Sequence, residues 1–437
     1  MTCNQHVFFI LWVFLPISIL AQQNDSLDER FSMHAQTTVV NQSKTAFTVP
    51  YSGANSLISE SENKTSITST LFMGMRLWKG AGVFLNPEIA GGSGLSQALG
   101  LGDATNGETF RVGSPEPKIY LARLYVRQLF ALGKSSSYQA SDFNRLGGQT
   151  PDRYLAFTVG KIGVADFFDQ NTYSHDPRAH FLCWSLMNNG AWDYAANVRG
   201  YTPSMVMEYV SPVYECRYSV SLVPYSANGN EMNWNLNKAS SHNLELCRHH
   251  RVGDRRGVIR VMGFYTSANM GDYRQSIALK PNKPDITSTR QYGNNKYGFC
   301  LNIEQELNGV LGFFMRAGWN DGNHETWMFT EIDHTLSGGF SFHPKKRKHD
   351  ELGLAYVISG LSAPHRDYLN AGGYGFMLGD GTLRYTQEQL GELYYAFEMR
   401  AEQIFLSPAY QFLLNPGFNA DRRGPVHVFS IRLHARI

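Results

Sequence analysis

In Tyr120–Phe130, read YLARLYVRQLF, Arg123, Tyr125 and Arg127 fall on one parity, while Ala122, Leu124, Val126 and Phe130 fall on the other. Side chains alternate across a strand, so this pattern sets two guanidinium groups and a phenol on one polar face. The same rule gathers Arg76, Glu208, Arg217, Glu245, Arg260, Glu304, Glu306, Arg316, Glu398, Arg400 and Arg432 onto polar faces elsewhere. Both signs of charge are present. Such a surface has little net preference for ions but many donors and acceptors at fixed places. Arginine offers five N–H donors in a planar fork that suits vicinal hydroxyls. A neutral polyol exchanges its water hydrogen bonds for these at small net cost, so it binds weakly and leaves quickly. Tyr125, Tyr394, Trp184 and Trp192 add flat apolar faces that fit the C–H face of a sugar ring.

Bond-making chemistry is poorly provided for. No GxSxG, HExxH or P-loop motif occurs. His334, Ser337, Ser341 and His343 share one stretch and would suit a hydrolase at a barrel rim, but His175-Asp176-Pro177-Arg178 reads more simply as a turn. Cys183, Cys216, Cys247 and Cys300 show no CxxC spacing and no histidine cluster. No metal and no cofactor is therefore expected. Cys216 shares parity with outward Tyr218 and Val220, Cys247 with inward Glu245, so they face opposite sides of a wall and stay free thiols. The basic run PKKRKHD reads as a solvated turn, and a net charge of +2 makes no case for a nucleic-acid partner.

The elements that must hold the polar faces are strands. Val426–Ile437, VHVFSIRLHARI, sets Phe429, Ile431, Leu433, Ala435 and Ile437 against Ser430, Arg432, His434 and Arg436. An oily face opposite a charged one suits a membrane barrel with lipid outside and a wet lumen. A last strand of this kind is expected to pair with the first, Phe31–Val40. Between them lie Thr65–Leu77, Ala81–Ile89, Tyr120–Phe130, Arg153–Gly160 and further alternating runs, about sixteen strands in all. Their connections alternate long and short along nearly the whole chain. That puts the loops at one end, outside the cell, and the turns at the other, in the periplasm. Gly133–Asp152 breaks the rule, since it is long where a turn is due. The GLSQALG segment is expected to form one helical turn. The loop Val164–Tyr201 carries Asp166, Asp169, Asp176, Arg178, Trp184, Trp192, Asp193 and Arg199, and is the natural constriction element. With 17% charged residues, 13% aromatics, 23 Tyr, 27 Phe and 41 Gly, the composition excludes a helical membrane bundle and fits an all-β transmembrane barrel with aromatic girdles. Residues 1–21 read as a secretory signal cleaved after Ala21, leaving one barrel domain over 22–437.

Several segments carry a resemblance: PYSGANSL at Pro50–Leu57, RLWKG at Arg76–Gly80, NPEIAGGSGLSQALG at Asn86–Gly100, RVGSPEPKIYLARLYVRQ at Arg111–Gln128, the run Ala165–Tyr201, and Asn415–Ile437. With these the chain resembles the carbohydrate-selective porins of the OprB type. The resemblance implies a 16-stranded barrel in the cell outer membrane. It implies passive, facilitated diffusion of mono- and oligosaccharides past inward loops that carry short helices. Carried onto this chain, the lining positions are Arg76, Glu88, Arg111, Glu116, Arg123, Asp166, Asp169, Trp184, Trp192 and Asp193, and parity adds Arg127. The implied partners are sugars, outer-membrane lipid and the barrel-assembly machinery, with homotrimer and monomer both open. A general diffusion porin without sugar preference is the alternative. Ile437 stands where a terminal aromatic is usual, and Cys183 is unusual in a constriction loop.

Overall fold

The computed structural model describes residues 28–111 and 115–437, so the expected signal segment 1–21 lies outside the described residues. Sixteen of its strands close into one antiparallel barrel. In chain order they are β1 (Phe31–Lys44), β2 (Glu62–Trp78), β3 (Ala81–Gly92), β4 (Lys118–Ala131), β7 (Tyr154–Ile162), β8 (Thr202–Val210), β9 (Tyr214–Ser221) and β10 (Ser240–Val252). There follow β11 (Arg255–Ser267), β12 (Asn295–Asn308), β13 (Leu311–Asn320), β14 (His334–Phe342), β15 (Glu351–Gly360), β16 (Glu388–Arg400), β17 (Ile404–Leu414) and β18 (Val426–Arg436). The remaining pair, β5 (Ser136–Gln139) and β6 (Gly148–Pro151), forms a separate hairpin inside the link between β4 and β7. As the alternation requires, β18 pairs with β1, setting His434 opposite Thr38 and Arg432 opposite Val40.

The two faces differ as the parity reading expects. Leu246, Val261 and Ile431 point outward and remain 55%, 51% and 56% exposed. A water-soluble wall would bury such residues; a continuous exposed apolar belt needs lipid against it. Aromatics ring both edges of the belt. Phe31, Trp78, Phe130 and Tyr214 lie at the short-turn end, and Tyr265, Tyr297 and Trp319 at the long-loop end. Inside, the long loops fold back into the barrel and make a core of their own. Phe167, Phe168, Trp184, Met187, Trp192 and Tyr194 pack with Trp327 and Phe329, and against inward Phe84, Tyr125, Val206 and Phe264 of the wall. Three short helices lie in these loops: α1 (Trp184–Met187), α2 (Tyr273–Leu279) and α3 (Ala363–Asn370).

Three local expectations are corrected. Ala122 does not face outward. A bulge sets Asn86 opposite Arg123 and Pro87 opposite Leu121, so Ala122 is fully buried and Leu121 is the outward residue. The extra residue lets Tyr120 and Arg123 both enter the lumen. The turn Leu95–Ala98 is left-handed, with φ of 50°, 57° and 65° at Ser96, Gln97 and Ala98. Glu62 holds it by accepting from the Ser96 hydroxyl at 2.8 Å, which offsets the backbone strain. Strands β1, β2 and β16 run further toward the long loops than the apolar pattern reached. The extra residues of β1 and β2 are polar on both faces, and those of β16 add the buried carboxylates Glu388 and Glu392. Asn41 bonds Asn63 at 2.9 Å and Thr65 at 2.8 Å across the outer surface.

Candidate functional site

The bulge of β4 aims Arg123 at the first turn of the 163–201 loop. Asp166 ends that turn, and its carboxylate accepts the Gly163 N–H at 3.1 Å. The guanidinium meets it as a fork: Nε to Oδ2 and Nη2 to Oδ1, both at 2.6 Å. Arg123 also lies over the Tyr201 ring at 5.0 Å. Arg123 itself is buried, whereas the Asp166 side chain is 34% exposed, so the pair presents its carboxylate to solvent.

Beside it a second cluster joins two loops to the wall. Arg178 of the 163–201 loop lies between two buried carboxylates, Glu88 of β3 at 3.1 Å and Glu108 of the 93–117 loop at 2.9 Å. Thr70 donates to Glu88 and Thr68 to Glu108, both at 2.5 Å, while Tyr120 and Tyr201 donate to Glu88 as well. Glu88 therefore positions the loop from the wall. Glu116 is exposed at the entrance to β4. Arg111 ends the 3-10 turn Gly107–Arg111, and its side chain lies outside the described residues.

Lower in the lumen the charges form a chain. Arg127 pairs with Glu208 at 2.8 Å, Glu208 with Arg217 at 3.3 Å, and Arg217 with Glu245 at 3.2 Å. Each inward cation of this chain faces a carboxylate, so the field along the wall changes sign within a few ångströms. Arg76 reaches down instead. It donates from Nε to the Glu29 carbonyl and from Nη2 to the Gly147 carbonyl, each at 2.9 Å. A cavity of about 1220 Å³ opens at this short-turn end, lined by Arg76, Arg127, Glu215, His249, Arg256 and the β4–β7 link among others.

The other expected residues sit in the loop core. Asp169 is buried, paired with Arg316 of β13 at 3.0 Å and accepting from Asn302 at 2.6 Å. Asp193 accepts the backbone N–H groups of Trp327, Met328 and Phe329 at 2.8, 2.9 and 3.2 Å, which docks the 321–333 loop. Trp192 donates to Asn243 at 2.9 Å. Trp184 stacks on Tyr194 at 5.8 Å. Both indoles are almost fully buried. Sequence reasoning passed over the acids that hold this core. Glu392 of β16 accepts the N–H groups of Leu182 and Cys183 at 2.7 and 2.9 Å, and Glu388 that of Asp103 at 3.1 Å. Their signal was available: Glu388, Glu392 and Tyr394 share one parity. Asp103 accepts from the Cys183 thiol at 3.2 Å, and burial lifts its carboxyl above the usual range. Burial, with Asp103 and Glu392 nearby, also pushes the Cys183 thiol well up, so it is a packed, unreactive group. Cys216, Cys247 and Cys300 are free as well.

Of the four residues a rim hydrolase would use, His334 and Ser337 take opposite parities on β14, while buried Ser341 lies 3.2 Å from His343 Nε2 and donates to the Glu351 carboxylate at 2.6 Å. Among the described residues, no group of three or more His, Cys, Asp or Glu side chains is placed to hold a metal ion.

The sequence model of the family described as carbohydrate-selective porin, OprB family, matches residues 66–436. The chain belongs to the OprB family. No curated protein sequence matches it. Among solved structures, OprB of Pseudomonas putida at high pH superposes with a TM-score of 0.69, at 14% identity, over 93% of this chain and 94% of that one. The low-pH structure of the same protein gives 0.51 at 11% identity, over 93% of each chain. The outer-membrane channel DcaP of Acinetobacter baumannii also gives 0.51, at 8% identity, over 93% of this chain and 97% of that one. At these identities the structural matches speak for the fold. Together with the family they place this OprB-family chain in the outer membrane.

Proposed function

We propose that this OprB-family chain passes mono- and oligosaccharides by passive, facilitated diffusion through a water-filled channel narrowed by the 163–201 loop. The observation that carries the reading is the sign-alternating lumen, in which Arg123–Asp166 and the chain from Arg127 through Glu208 to Arg217 and Glu245 offer fixed donors and acceptors without a net field. A neutral polyol profits from such a surface, while an ion of either sign meets attraction and repulsion in turn. In this reading Arg76, Glu116, Arg127 and Asp166 face the passing solute, with Arg111 beside them. Arg123 holds Asp166 in place. Glu88, Asp169, Trp184, Trp192 and Asp193 fix the loop that sets the width.

A liposome swelling assay tests the reading. Vesicles holding the protein are expected to swell in glucose or maltose faster than protein-free vesicles. Equal rates would remove it. A planar-bilayer recording then separates it from a general diffusion porin, which conducts without being blocked by any sugar of a panel.

A further inference from the structure

We infer that the periplasmic link 132–153 is a second selectivity element, one that narrows the exit mouth of the channel from below. The inference rests on the channel reading above and extends it to the other end of the barrel. Elsewhere at this end the connections are brief: 79–80, 211–213, 253–254, 309–310, 343–350 and 401–403. Only this one folds its own hairpin, β5 with β6, and it enters the barrel rather than hanging below it.

Three contacts show the entry. The Phe143 ring lies stacked on inward Phe72 at 4.5 Å and 19°, with the Arg436 guanidinium 5.6 Å from its centre. Leu146 fills the space left by two lumen-facing glycines. A Cβ on Gly74 or on Gly82 would come within 3.3 Å of its methyl groups. The polar groups of the link are held as firmly. Ser141 bonds His34 of β1 at 2.9 Å, Arg76 donates to the Gly147 carbonyl, and the Gly147 N–H donates to Glu29 at 2.7 Å. An aromatic stack on buried Phe72, a leucine seated on glycines and charge-assisted bonds together make a docked element, since a solvated loop would leave its apolar groups to water only at a cost.

The tip is turned toward the cavity. Asn144 takes a left-handed φ of 55°, which asparagine tolerates, and its buried amide oxygen has no protein donor. Arg145 keeps a side chain 46% exposed beside Asp142 at 3.2 Å. Both line the cavity of about 1220 Å³, opposite Arg127 and Glu215 of the wall. A neutral, polyhydroxylated solute leaving the barrel thus meets amide and guanidinium donors on the link as well as on the strands.

Single-channel recordings of the full chain test this. Replacing residues 135–150 by an Asn-Gly turn is expected to raise ion conductance about twofold and to weaken block by maltose. Arg145→Glu reverses an exposed charge and leaves the Phe143 and Leu146 side chains in place, at the loss of the bond to the Ala140 carbonyl and of the pair with Asp142; it is expected to move the reversal potential in a salt gradient toward cation preference. Unchanged conductance in the shortened protein overturns the inference. Should that protein not fold, an unmoved reversal potential in Arg145→Glu overturns it. Wild-type protein that conducts ions but never responds to maltose would instead remove the sugar reading, and the two failures are distinguishable in one set of traces.

Discussion

At the scale of single residues, the decisive pair is Arg123 with Asp166. The fork geometry, two bonds of 2.6 Å, is what distinguishes an arginine here from any other cation. Arg123→Ala removes both bonds and leaves Asp166 to the channel without that guanidinium. Ion conductance is expected to rise about twofold, selectivity to move toward cations, and sugar block to weaken. Arg123→Lys restores the charge but not the fork, so it should recover ion selectivity and not the sugar block. Bilayer recordings of the two variants decide; identical behaviour to wild type in both would take Arg123 out of the site. Parity made this residue legible, together with Arg127 and Arg217, because a strand has only two faces. Trp184 and Trp192 were not legible in the same way. In a long loop there is no parity to read. Large rings that could meet a sugar are equally able to build the core that keeps the loop folded, and here they are buried with Tyr194 and Phe329.

At the scale of elements, carboxylates do the work of fixing loops inside the barrel. Glu392 holds the N–H groups of Leu182 and Cys183, Glu245 that of Asp169 at 2.8 Å, and Asp193 those of residues 327–329. An irregular loop within a membrane-depth cavity must satisfy its backbone donors against protein, and a carboxylate accepts several at once. Asp193→Ala strips three buried N–H groups of their acceptor, a loss of about 3 kcal/mol in docking of the 321–333 loop. Limited proteolysis from the outside is expected to cut that loop faster, with Asp193→Asn in between because one carbonyl oxygen remains. An unaltered cleavage rate in the alanine variant would show that the loop docks by its aromatics alone. The alternation of long and short connections was readable from turn signals such as Asn308-Gly309. The bulge at Ala122 was not, since alanine fits a wall facing lipid or lumen equally well. Nor was the hairpin 136–151, whose serines, glutamines and threonine carry no apolar alternation.

At the scale of the molecule, the closed ladder from β1 round to β18 leaves no strand edge, as hydrocarbon requires. The outward belt then has lipid for its solvent, and a charge placed on it has a cost that depends on depth. Val261 and Tyr265 share β11 and its outward face, four residues apart. Val261 sits mid-wall beside Leu246 and Leu301, and Tyr265 in the upper girdle opposite Tyr297. Val261→Arg is expected to cost about 2–4 kcal/mol of folding free energy in vesicles, and Tyr265→Arg about 0–1 kcal/mol. A water-facing wall would tolerate both changes alike, because each position is already exposed. Denaturant titrations into lipid vesicles separate the cases, and equal midpoints for the two variants would deny that this face meets the membrane core.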